Sequence, residues 1–394
     1  MVNFAKNVLG KYALILILLL TMLVFELLLP STVSLFSPIN LNNLIVQNSY
    51  VVILAIGMLL CIISGGNIDL SVGSIVILVG AILGVFIVNW GINPYLAIFM
   101  CLAIGTLIGA WQAFWIAYVK IPPFIVTLAG MLTFRGIALI ILQGRNIGPF
   151  PVEYRNIFNS FLPAHWLNDP TAGTVFLSTL AIGIALSAII LTMKLLSYFR
   201  RKRKGYDVDN FIFEIIYTLI ICTAIVFLFH QLGRQNGIPA VLVFIGLIFL
   251  IYGYFTQNTI WGRYLYAMGG NARAAQLSGI NTKRMLFFAY TNNGLLAGLA
   301  SLVVVARFNQ ASTSAGMGFE LDAIAACFIG GASAYGGTGK VGNAVIGAIF
   351  MGVLNMGLSL LGADINLQRV INGLVLLVAV TFAVVSRNRK GNVA

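Results

Sequence analysis

The chain has 394 residues, of which 60% are hydrophobic and only 8% carry a charge. Soluble globular proteins carry about 25% charged residues, so this composition excludes a soluble enzyme, a disordered tail and a disulfide-stabilised secreted module. The 23 basic and 10 acidic residues give a net charge of +13, which we interpret as the mark of one membrane face rather than of nucleic-acid binding.

Twelve apolar runs are long enough to cross a bilayer, whose hydrocarbon core of about 30 Å needs roughly 20 apolar residues per helix. In chain order they cover residues 12–32, 44–63, 71–90, 94–118, 123–143, 173–193, 210–230, 238–257, 285–306, 319–338, 341–361 and 367–386. Because several runs contain glycine, some of them are expected to be half-helices or re-entrant segments. The predicted fold class is all-α: a polytopic transmembrane helical bundle of about 12 hydrophobic segments, forming one domain over residues 1–394.

The first run follows Lys6 and Lys11, as in a secretory signal. It is too long for a signal peptide and no small-residue cleavage site follows it, so we interpret it as an uncleaved first span. Alternation from a cytosolic N-terminus places 17 of the 23 basic residues in the cytosol, together with the C-terminus. Among them is the run Arg200–Lys204 in a basic loop at 194–209, which we interpret as a topology anchor against anionic lipid.

No nucleotide-binding motif is complete. The nearest phosphate-binding loop, at 334–341, lacks the first glycine and the final hydroxyl of the pattern. A G-x-G-x-x-G pattern at 337–342 is flanked by apolar runs instead of a βαβ unit, so it predicts a tight turn. We therefore expect no catalytic activity, no cofactor and no nucleic acid bound by this chain.

Cysteine and histidine patterns predict no metal site. Four cysteines lie inside apolar runs without ligand spacing and are expected to be small core residues: Cys61, Cys101, Cys222 and Cys327. His165 and His230 are far apart in the sequence and have no carboxylate-rich motif nearby.

Few ionisable residues are available for an ion-coupled relay. Only Arg135 lies near the middle of a run, and Asp69, Glu320 and Asp322 flank glycine-rich breaks. This scarcity argues against an ion-coupled carrier without excluding one. Three Gly-x-x-x-Gly pairs are expected to pack helices within the chain: Gly80 with Gly84, Gly105 with Gly109, and Gly294 with Gly298.

Two polar segments stand out between the apolar runs. In residues 63–73, Ser71 or Asp69 is suited to cap the next helix, and the segment is either a capped turn or a hinge in a pathway. In the loop 262–284, Asn271 is a good N-cap and Gly279 a natural stop, which predicts a helix of about two turns outside the membrane. So short a helix is marginal in water and needs a soluble partner to pack on.

The loop from Ala267 to Asn281 resembles the coupling loop of permease subunits in ATP-binding-cassette (ABC) importers for monosaccharides of the ribose, galactose and xylose types. Further stretches agree in the same order: residues 69–74, 123–128, 134–136, 320–326 and 330–331. Two extra spans around the basic loop resemble the xylose and multiple-monosaccharide subgroup, against a core of about ten spans in the ribose type. Arg273 is a departure, since relatives often carry an acidic or neutral residue there.

The resemblance implies a permease that moves a monosaccharide of the xylose, galactose, glucose or arabinose class across the bacterial plasma (inner) membrane by alternating access. It also implies a homodimer, a separate cytosolic ATPase subunit that binds ATP and Mg²⁺, and an extracytoplasmic sugar-binding protein. The ATPase-coupling loop would span residues 258–284, with eight coupling positions: Gly269, Gly270, Asn271, Ala274, Ala275, Ser278, Gly279 and Ile280. The alternatives are a branched-chain amino-acid permease of the same architecture, an ion-coupled secondary carrier and a membrane scaffold.

Seven polar residues in or near the spans are candidates for the substrate pathway: Asn48, Asn67, Asp69, Gln112, Asn292, Asn293 and Asn355. Sugar hydroxyls need donors and acceptors, which these side chains supply, although hydrogen bonding between helices explains any one of them equally well. The external loop at 144–172 carries the aromatic residues Phe150, Tyr154, Phe158, Phe161 and Trp166. They either receive the sugar-binding protein or form an interfacial aromatic cap.

Overall fold

The computed structural model describes residues 2–162, 172–206 and 211–391, which are largely helical. The helices are α1 (Val2–Leu28), α2 (Pro38–Ile63), α3 (Val72–Gly84), α4 (Pro94–Phe114), α5 (Pro123–Leu142), α6 (Val152–Asn159), α7 (Ala172–Arg203), α8 (Phe211–Gln235), α9 (Ala240–Asn258), α10 (Ile260–Gly270), α11 (Ala272–Leu277), α12 (Thr282–Phe308), α13 (Phe319–Ile329), α14 (Val341–Leu360) and α15 (Ile365–Gly391). Single π-helical turns extend α3 over Val85–Asn89 and α4 over Trp115–Val119. Two short strands, β1 (Phe161–Leu162) and β2 (Ile238–Pro239), pair antiparallel with Phe161 opposite Pro239.

Capping residues and prolines set where the spans begin. The Ser37 hydroxyl accepts a hydrogen bond from Asn40 N at the start of α2, and Asn93 Oδ1 accepts one from Tyr95 N at the start of α4. Pro38 and Pro94 follow directly, where a missing N–H is tolerated because the first turn has no partner for it. Local sequence therefore fixes the helix starts at the membrane boundaries.

Nine helices of the described residues are long and apolar enough to cross a membrane, and two shorter apolar stretches lie at Ala13–Leu28 and Ile365–Thr381. The predicted polytopic bundle is confirmed, but one predicted run, 319–338, is not a continuous span. Its helix, α13, has 11 residues and a length of about 16 Å, roughly half a bilayer core. Gly331 takes a φ of +79° directly after α13, and the chain continues as a turn to Lys340 because glycine adopts this backbone conformation without strain.

Contacts between helix termini define two ends of the bundle. At one end Gly337 N donates a hydrogen bond to Ile63 O over 3.0 Å, and at the other Ile147 pairs with Ala311 in an isolated bridge. The first end, which we call the basic end, holds Lys120, Arg200–Lys204, Arg263, Arg273, Lys283, Arg284 and Lys340. This agrees with the charge separation predicted from the sequence.

The centre of the bundle is formed by α2, α4 and α12. A Cβ atom on Gly105 would lie 2.8 Å from Gly294 O, and one on Gly109 would lie 2.6 Å from Tyr290 O, so α4 and α12 touch backbone to backbone. The glycine pairs thus pack helices within one chain, as predicted. All four cysteines are buried, as expected of core residues.

The two extra spans, α7 and α8, pack against each other. Ser187 Oγ donates to Cys222 O over 3.3 Å, and Arg201 forms a 3.2 Å ion pair with Glu214 near the basic end. The remainder of the predicted basic loop, residues 207–209, lies outside the described residues.

Candidate functional site

The predicted two-turn helix of the coupling loop is present as α11. Asn271 Oδ1 accepts a hydrogen bond from Ala274 N over 2.9 Å, which caps the first turn. Ser278 Oγ donates to Ala274 O, and Gly279 ends the helix with a φ of +86°. Ile280 N then bonds Ala275 O over 3.0 Å, so the chain folds back toward α12. The predictions that Asn271 caps this helix and that Gly279 ends it are confirmed.

Helix α11 projects from the basic end with little protein around it. Of its six residues only Ala275 is buried, and Leu277 is 85% exposed. A helix this short does not hold its shape in water through its own hydrogen bonds, and an exposed leucine at its end is costly in solvent. Helix α11 thus presents most of its surface to the outside of the bundle at the basic end.

Backbone contacts alone connect the base of α11 to two remote parts of the chain. A Cβ atom on Gly269 would collide with Ile63 O and would lie 2.5 Å from Gly337 N. One on Gly337, whose φ is +74°, would lie 2.8 Å from Gly270 N. We call this contact of Ile63, Gly269, Gly270 and Gly337 the glycine junction. The absence of a side chain at Gly269 and Gly337 allows the end of α10, the end of α2 and the turn before α14 to approach so closely.

Helix α10 is held firmly beside the glycine junction. Leu265 and Met268 are buried, and the Tyr266 hydroxyl donates to Gly339 O over 2.7 Å. Burial raises the pKa of the Tyr266 hydroxyl above its ordinary value. Helix α10, which leads into α11, is therefore in direct contact with the end of α2 and with the turn between α13 and α14.

A polar network lies inside the bundle, about 16 Å along α12 from its start. Asp69 Oδ1 accepts hydrogen bonds from Ser71 N at 2.8 Å and from Ser71 Oγ at 2.6 Å. Gln112 Nε2 donates to Ser71 Oγ over 2.7 Å, and Asn293 Nδ2 donates to Asp69 Oδ2 over 2.8 Å. All four side chains are fully buried. The network joins the segment before α3 to α4 and α12.

The network is only partly satisfied. Among the described residues, Gln112 Oε1 and Asn293 Oδ1 are buried without a hydrogen-bond partner. Leaving buried acceptors unpaired costs stability, and a half-satisfied network is easier to rearrange than a complete one. Neither of the two residues predicted to cap α3 does so with its side chain: Ser71 is the N-cap residue without a side-chain cap, and Asp69 accepts only the N–H of Ser71, outside the helix.

Two helices begin inside the bundle rather than at its ends. After α2 ends, the chain turns back, and Asp69 N approaches Met58 Sδ at 3.5 Å before α3 starts. Helix α13 starts at the same level, because a Cβ atom on Gly73 would collide with Gly316 O and Glu320 Oε2. The starts of α3 and α13 therefore meet at mid-depth, in the arrangement by which transporters place sites on discontinuous helices.

The other predicted pathway residues do not join this network. Asn48 Nδ2 donates to Leu44 O of its own helix, and Asn67 Nδ2 approaches Ser64 Oγ at 3.4 Å near the basic end. Two further asparagines link helices: Asn292 accepts from Tyr252 OH at 2.9 Å, and Asn355 accepts from Asn372 at 2.9 Å. The structure thus brings three of the seven candidates together.

Sequence reasoning missed Ser71 as a member of the network and Glu320 as its neighbour. Glu320 is 7% exposed, and its Oε2 has no hydrogen-bond partner among the described residues. A usable signal was present, since both residues lie next to glycine-rich breaks between apolar runs, where irregular backbone at membrane depth is buried in protein.

The external loop packs its rings into the bundle. Phe150, Tyr154 and Phe158 are buried, and the Tyr154 hydroxyl donates to Leu302 O over 2.6 Å. These three rings are therefore part of the core of the bundle, and neither of the two alternatives for the loop is tested by their positions. Phe161 is partly buried in β1, and Trp166, like His165, lies outside the described residues.

Comparisons with known proteins agree with this architecture. A model of the family described as "Branched-chain amino acid transport system / permease component" matches residues 40–380. The xylose transport system permease protein XylH of Haemophilus influenzae is 36% identical over 347 residues, covering 86% of this chain and 88% of the relative. The XylH protein of Escherichia coli K12 is 37% identical over 346 residues, with 86% and 84% covered.

A ribose permease is also similar. The ribose import permease protein RbsC of Escherichia coli K12 is 33% identical over 341 residues, covering 86% of this chain and 84% of the relative. No solved structure matches the chain. With a family model spanning most of its length and relatives above 30% identity over most of theirs, the chain belongs to this family of transport-system permease components.

Proposed function

We propose that this chain is the transmembrane permease subunit of an ABC importer and that it carries a monosaccharide of the xylose, galactose, glucose or arabinose class by alternating access. Relatives at 36–37% identity that carry the name xylose permease support the substrate class. The observation that carries the proposal is α11, a capped helix with five of its six residues partly or fully exposed, in a chain of the permease family.

ATP and Mg²⁺ are proposed to bind to a separate cytosolic ATPase, and no cofactor, catalytic residue or nucleic acid is assigned to this chain. The basic end faces the cytosol, since basic residues in short connections are retained there. Both termini are then cytosolic and the opposite end lies outside the bacterial inner membrane, where a sugar-binding protein docks. Two copies of the chain form a homodimer, and anionic lipid meets the basic end.

The coupling residues divide into two groups in the proposed mechanism. Asn271, Ala274, Ala275, Ser278, Gly279 and Ile280 shape α11, which enters a groove of the ATPase. Gly269 and Gly270 belong to the glycine junction, which passes the movement of α11 to the ends of α2 and α13.

Rearrangement at the starts of α3 and α13 then opens the pathway. We assign the gate to the network of Asp69, Gln112 and Asn293, because it joins the segment before α3 to the fixed helices α4 and α12. Asn67 lies between the gate and the basic end. Asn48, Asn292 and Asn355 complete the proposed pathway set as neutral hydrogen-bonding side chains.

Reconstitution tests this function. The chain is placed in proteoliposomes with its ATPase and sugar-binding protein, and uptake of D-xylose, D-ribose and L-leucine is measured with and without ATP. We expect ATP-dependent uptake of D-xylose that ignores proton and sodium gradients. Gradient-driven uptake by the chain alone would refute an ABC mechanism. The family description favours a branched-chain amino acid as second candidate, and ATP-driven L-leucine uptake without sugar uptake would establish it.

A further inference from the structure

The outer half of α2 carries a polar face that none of the proposed pathway residues uses. Asn43, Gln47 and Tyr50 are spaced four and three residues apart, which places them on one side of the helix. All three are partly exposed, whereas the inner half of α2, from Val51 to Ile63, is buried throughout. The polar stripe therefore borders a region that this chain leaves uncovered.

Helix α13 leaves that region open because it is short. Its 11 residues reach from mid-depth toward the basic end. The chain crosses the outer half of the same layer as the irregular segment 309–318, in which Met317 is 48% exposed. Leu321, in the first turn of α13, is 52% exposed. A side of the bundle bounded by α2, the end of α12 and the start of α13 is thus open at membrane depth.

Charged and aromatic groups converge on this side. The rings of Tyr50 and Phe319 stack with their centroids 3.8 Å apart, and the Tyr50 hydroxyl donates to Asp322 Oδ2 over 3.0 Å. Arg307 Nη1 donates to Gln47 O over 3.4 Å. A carboxylate, a guanidinium and two stacked rings therefore lie along the polar stripe. We call the set Asn43, Gln47, Tyr50, Arg307, Phe319 and Asp322 the Tyr50 face.

Lipid is a poor neighbour for the Tyr50 face. Charged side chains at membrane depth face the interior of a bundle or a water-filled cavity, because hydrocarbon offers them no hydrogen bonds. The groups also suit a sugar: a carboxylate accepts strong hydrogen bonds from hydroxyls, a guanidinium donates them, and aromatic rings supply apolar surface for the C–H side of the ring.

We propose that the Tyr50 face lines the outer half of the translocation pathway and contacts the monosaccharide through Asp322, Arg307 and the ring of Tyr50. This inference rests on the proposed function, whose pathway set contains none of these residues. It gives the sugar a contact point outside the gate formed by Asp69, Gln112 and Asn293.

The first test compares Asp322→Asn with Asp364→Asn in proteoliposomes that contain the ATPase and the sugar-binding protein. Asparagine keeps the size of the side chain and an acceptor for Tyr50, and Asp364 is an exposed carboxylate near the opposite end. D-xylose uptake per ATP hydrolysed should fall about tenfold in Asp322→Asn, the factor for one lost hydrogen bond to a charged group. Asp364→Asn should match the wild type.

This ratio separates sugar contact from a general defect. A variant that misfolds or does not assemble with the ATPase loses ATP hydrolysis and uptake together, whereas loss of a pathway contact lowers only the sugar delivered per ATP. If the wild type takes up no monosaccharide, the proposed function fails. If the wild type transports and Asp322→Asn has the same ratio as Asp364→Asn, the Tyr50 face is not a sugar contact.

A second measurement decides the case in which Asp322→Asn does not assemble. Met317→Cys and Leu107→Cys are each treated with a membrane-impermeant thiol reagent from outside. Leu107 is 68% exposed in the middle of α4 on an apolar side, and the native cysteines are at most 9% exposed. We expect labelling at least tenfold faster at position 317. Equal, slow labelling at both positions would mean that lipid or a second copy covers the Tyr50 face, and would overturn the proposal.

Discussion

The glycine junction gives the sharpest prediction, the replacement Gly269→Ala. The added Cβ atom would collide with Ile63 O and approach Gly337 N to 2.5 Å, so it must separate the hydrogen bond between Gly337 N and Ile63 O. Overpacking of this kind costs roughly 1–3 kcal/mol and a lost backbone hydrogen bond about 0.5–1.5 kcal/mol. Together they destabilise the closed junction by about 1.5–4.5 kcal/mol.

Even the lower figure has a large effect on transport. A cost of about 1.5 kcal/mol lowers the ratio of closed to open junctions about 13-fold. ATP-driven D-xylose uptake in proteoliposomes should fall by up to this factor, while the purified variant still inserts and binds the ATPase, since α11 itself is unchanged.

The neighbouring glycine supplies a matched control. A Cβ atom on Gly270 meets no other atom within 4 Å, and the residue ends helix α10, so Gly270→Ala should transport like the wild type. Equal uptake by Gly269→Ala and Gly270→Ala would refute the reasoning. The two changes are chemically identical and differ only in the contacts of the added Cβ atom, so equal uptake would mean that these contacts do not affect transport.

Three further predictions concern the rest of the chain. Leu277→Asp places a charge on the 85% exposed residue of α11 and should abolish co-purification of the ATPase without lowering the melting temperature of the permease. Asn293→Leu leaves buried Asp69 Oδ2 without its donor and should destabilise the bundle by about 1–3 kcal/mol, seen as a lower melting temperature in detergent. Gly294→Leu should separate α4 from α12 and prevent stable folding, because a Cβ atom there would lie 2.6 Å from Gly109 Cα, and the expected readout is loss of a monodisperse peak on size-exclusion chromatography.

Each of these has a comparison that would contradict it. If Leu277→Asp still co-purifies with the ATPase, α11 is not part of the contact between the permease and the ATPase. Asn355→Leu breaks a neutral, partly exposed pair. If it lowers the melting temperature as much as Asn293→Leu does, the buried network contributes no more to stability than this pair. A Cβ atom on Gly246 meets nothing within 4 Å, and Gly246→Leu should elute normally; failure of both glycine variants would point to general intolerance of bulk.

The sequence was most informative where a feature is local. The helix α11 was predicted because an N-cap asparagine and a stop glycine lie at its ends, and both act through atoms within four residues. The spans were predicted for a similar reason, since membrane length and hydropathy are properties of one continuous run. Half-helices were expected among the runs that contain glycine, but which run would be one was not predicted, because hydropathy does not register the positive φ at Gly331 that follows α13.

Features that join remote segments were harder to predict. Asn292 and Asn293 are adjacent in sequence, but successive residues point about 100° apart around a helix. One therefore meets Tyr252 of α9 and the other meets Asp69 before α3. Helix α12 is apolar on nearly all sides, so no amphipathic pattern indicates which asparagine faces which neighbour. The glycine junction likewise joins three segments that are more than 60 residues apart in the sequence. Glycine has no side chain from whose chemistry the contact could be predicted.

The close contact of α4 with α12 has a consequence for how the gate opens. Two helices that meet backbone to backbone have no layer of side chains on which to slide, so they behave as one rigid body. Gln112 belongs to one of them and Asn293 to the other, while Asp69 and Ser71 lie on the separate segment before α3. In the proposed mechanism, movement of that segment away from both helices breaks the two hydrogen bonds together. The proposed gate then has two discrete states, because an intermediate position loses both bonds and gains no new one.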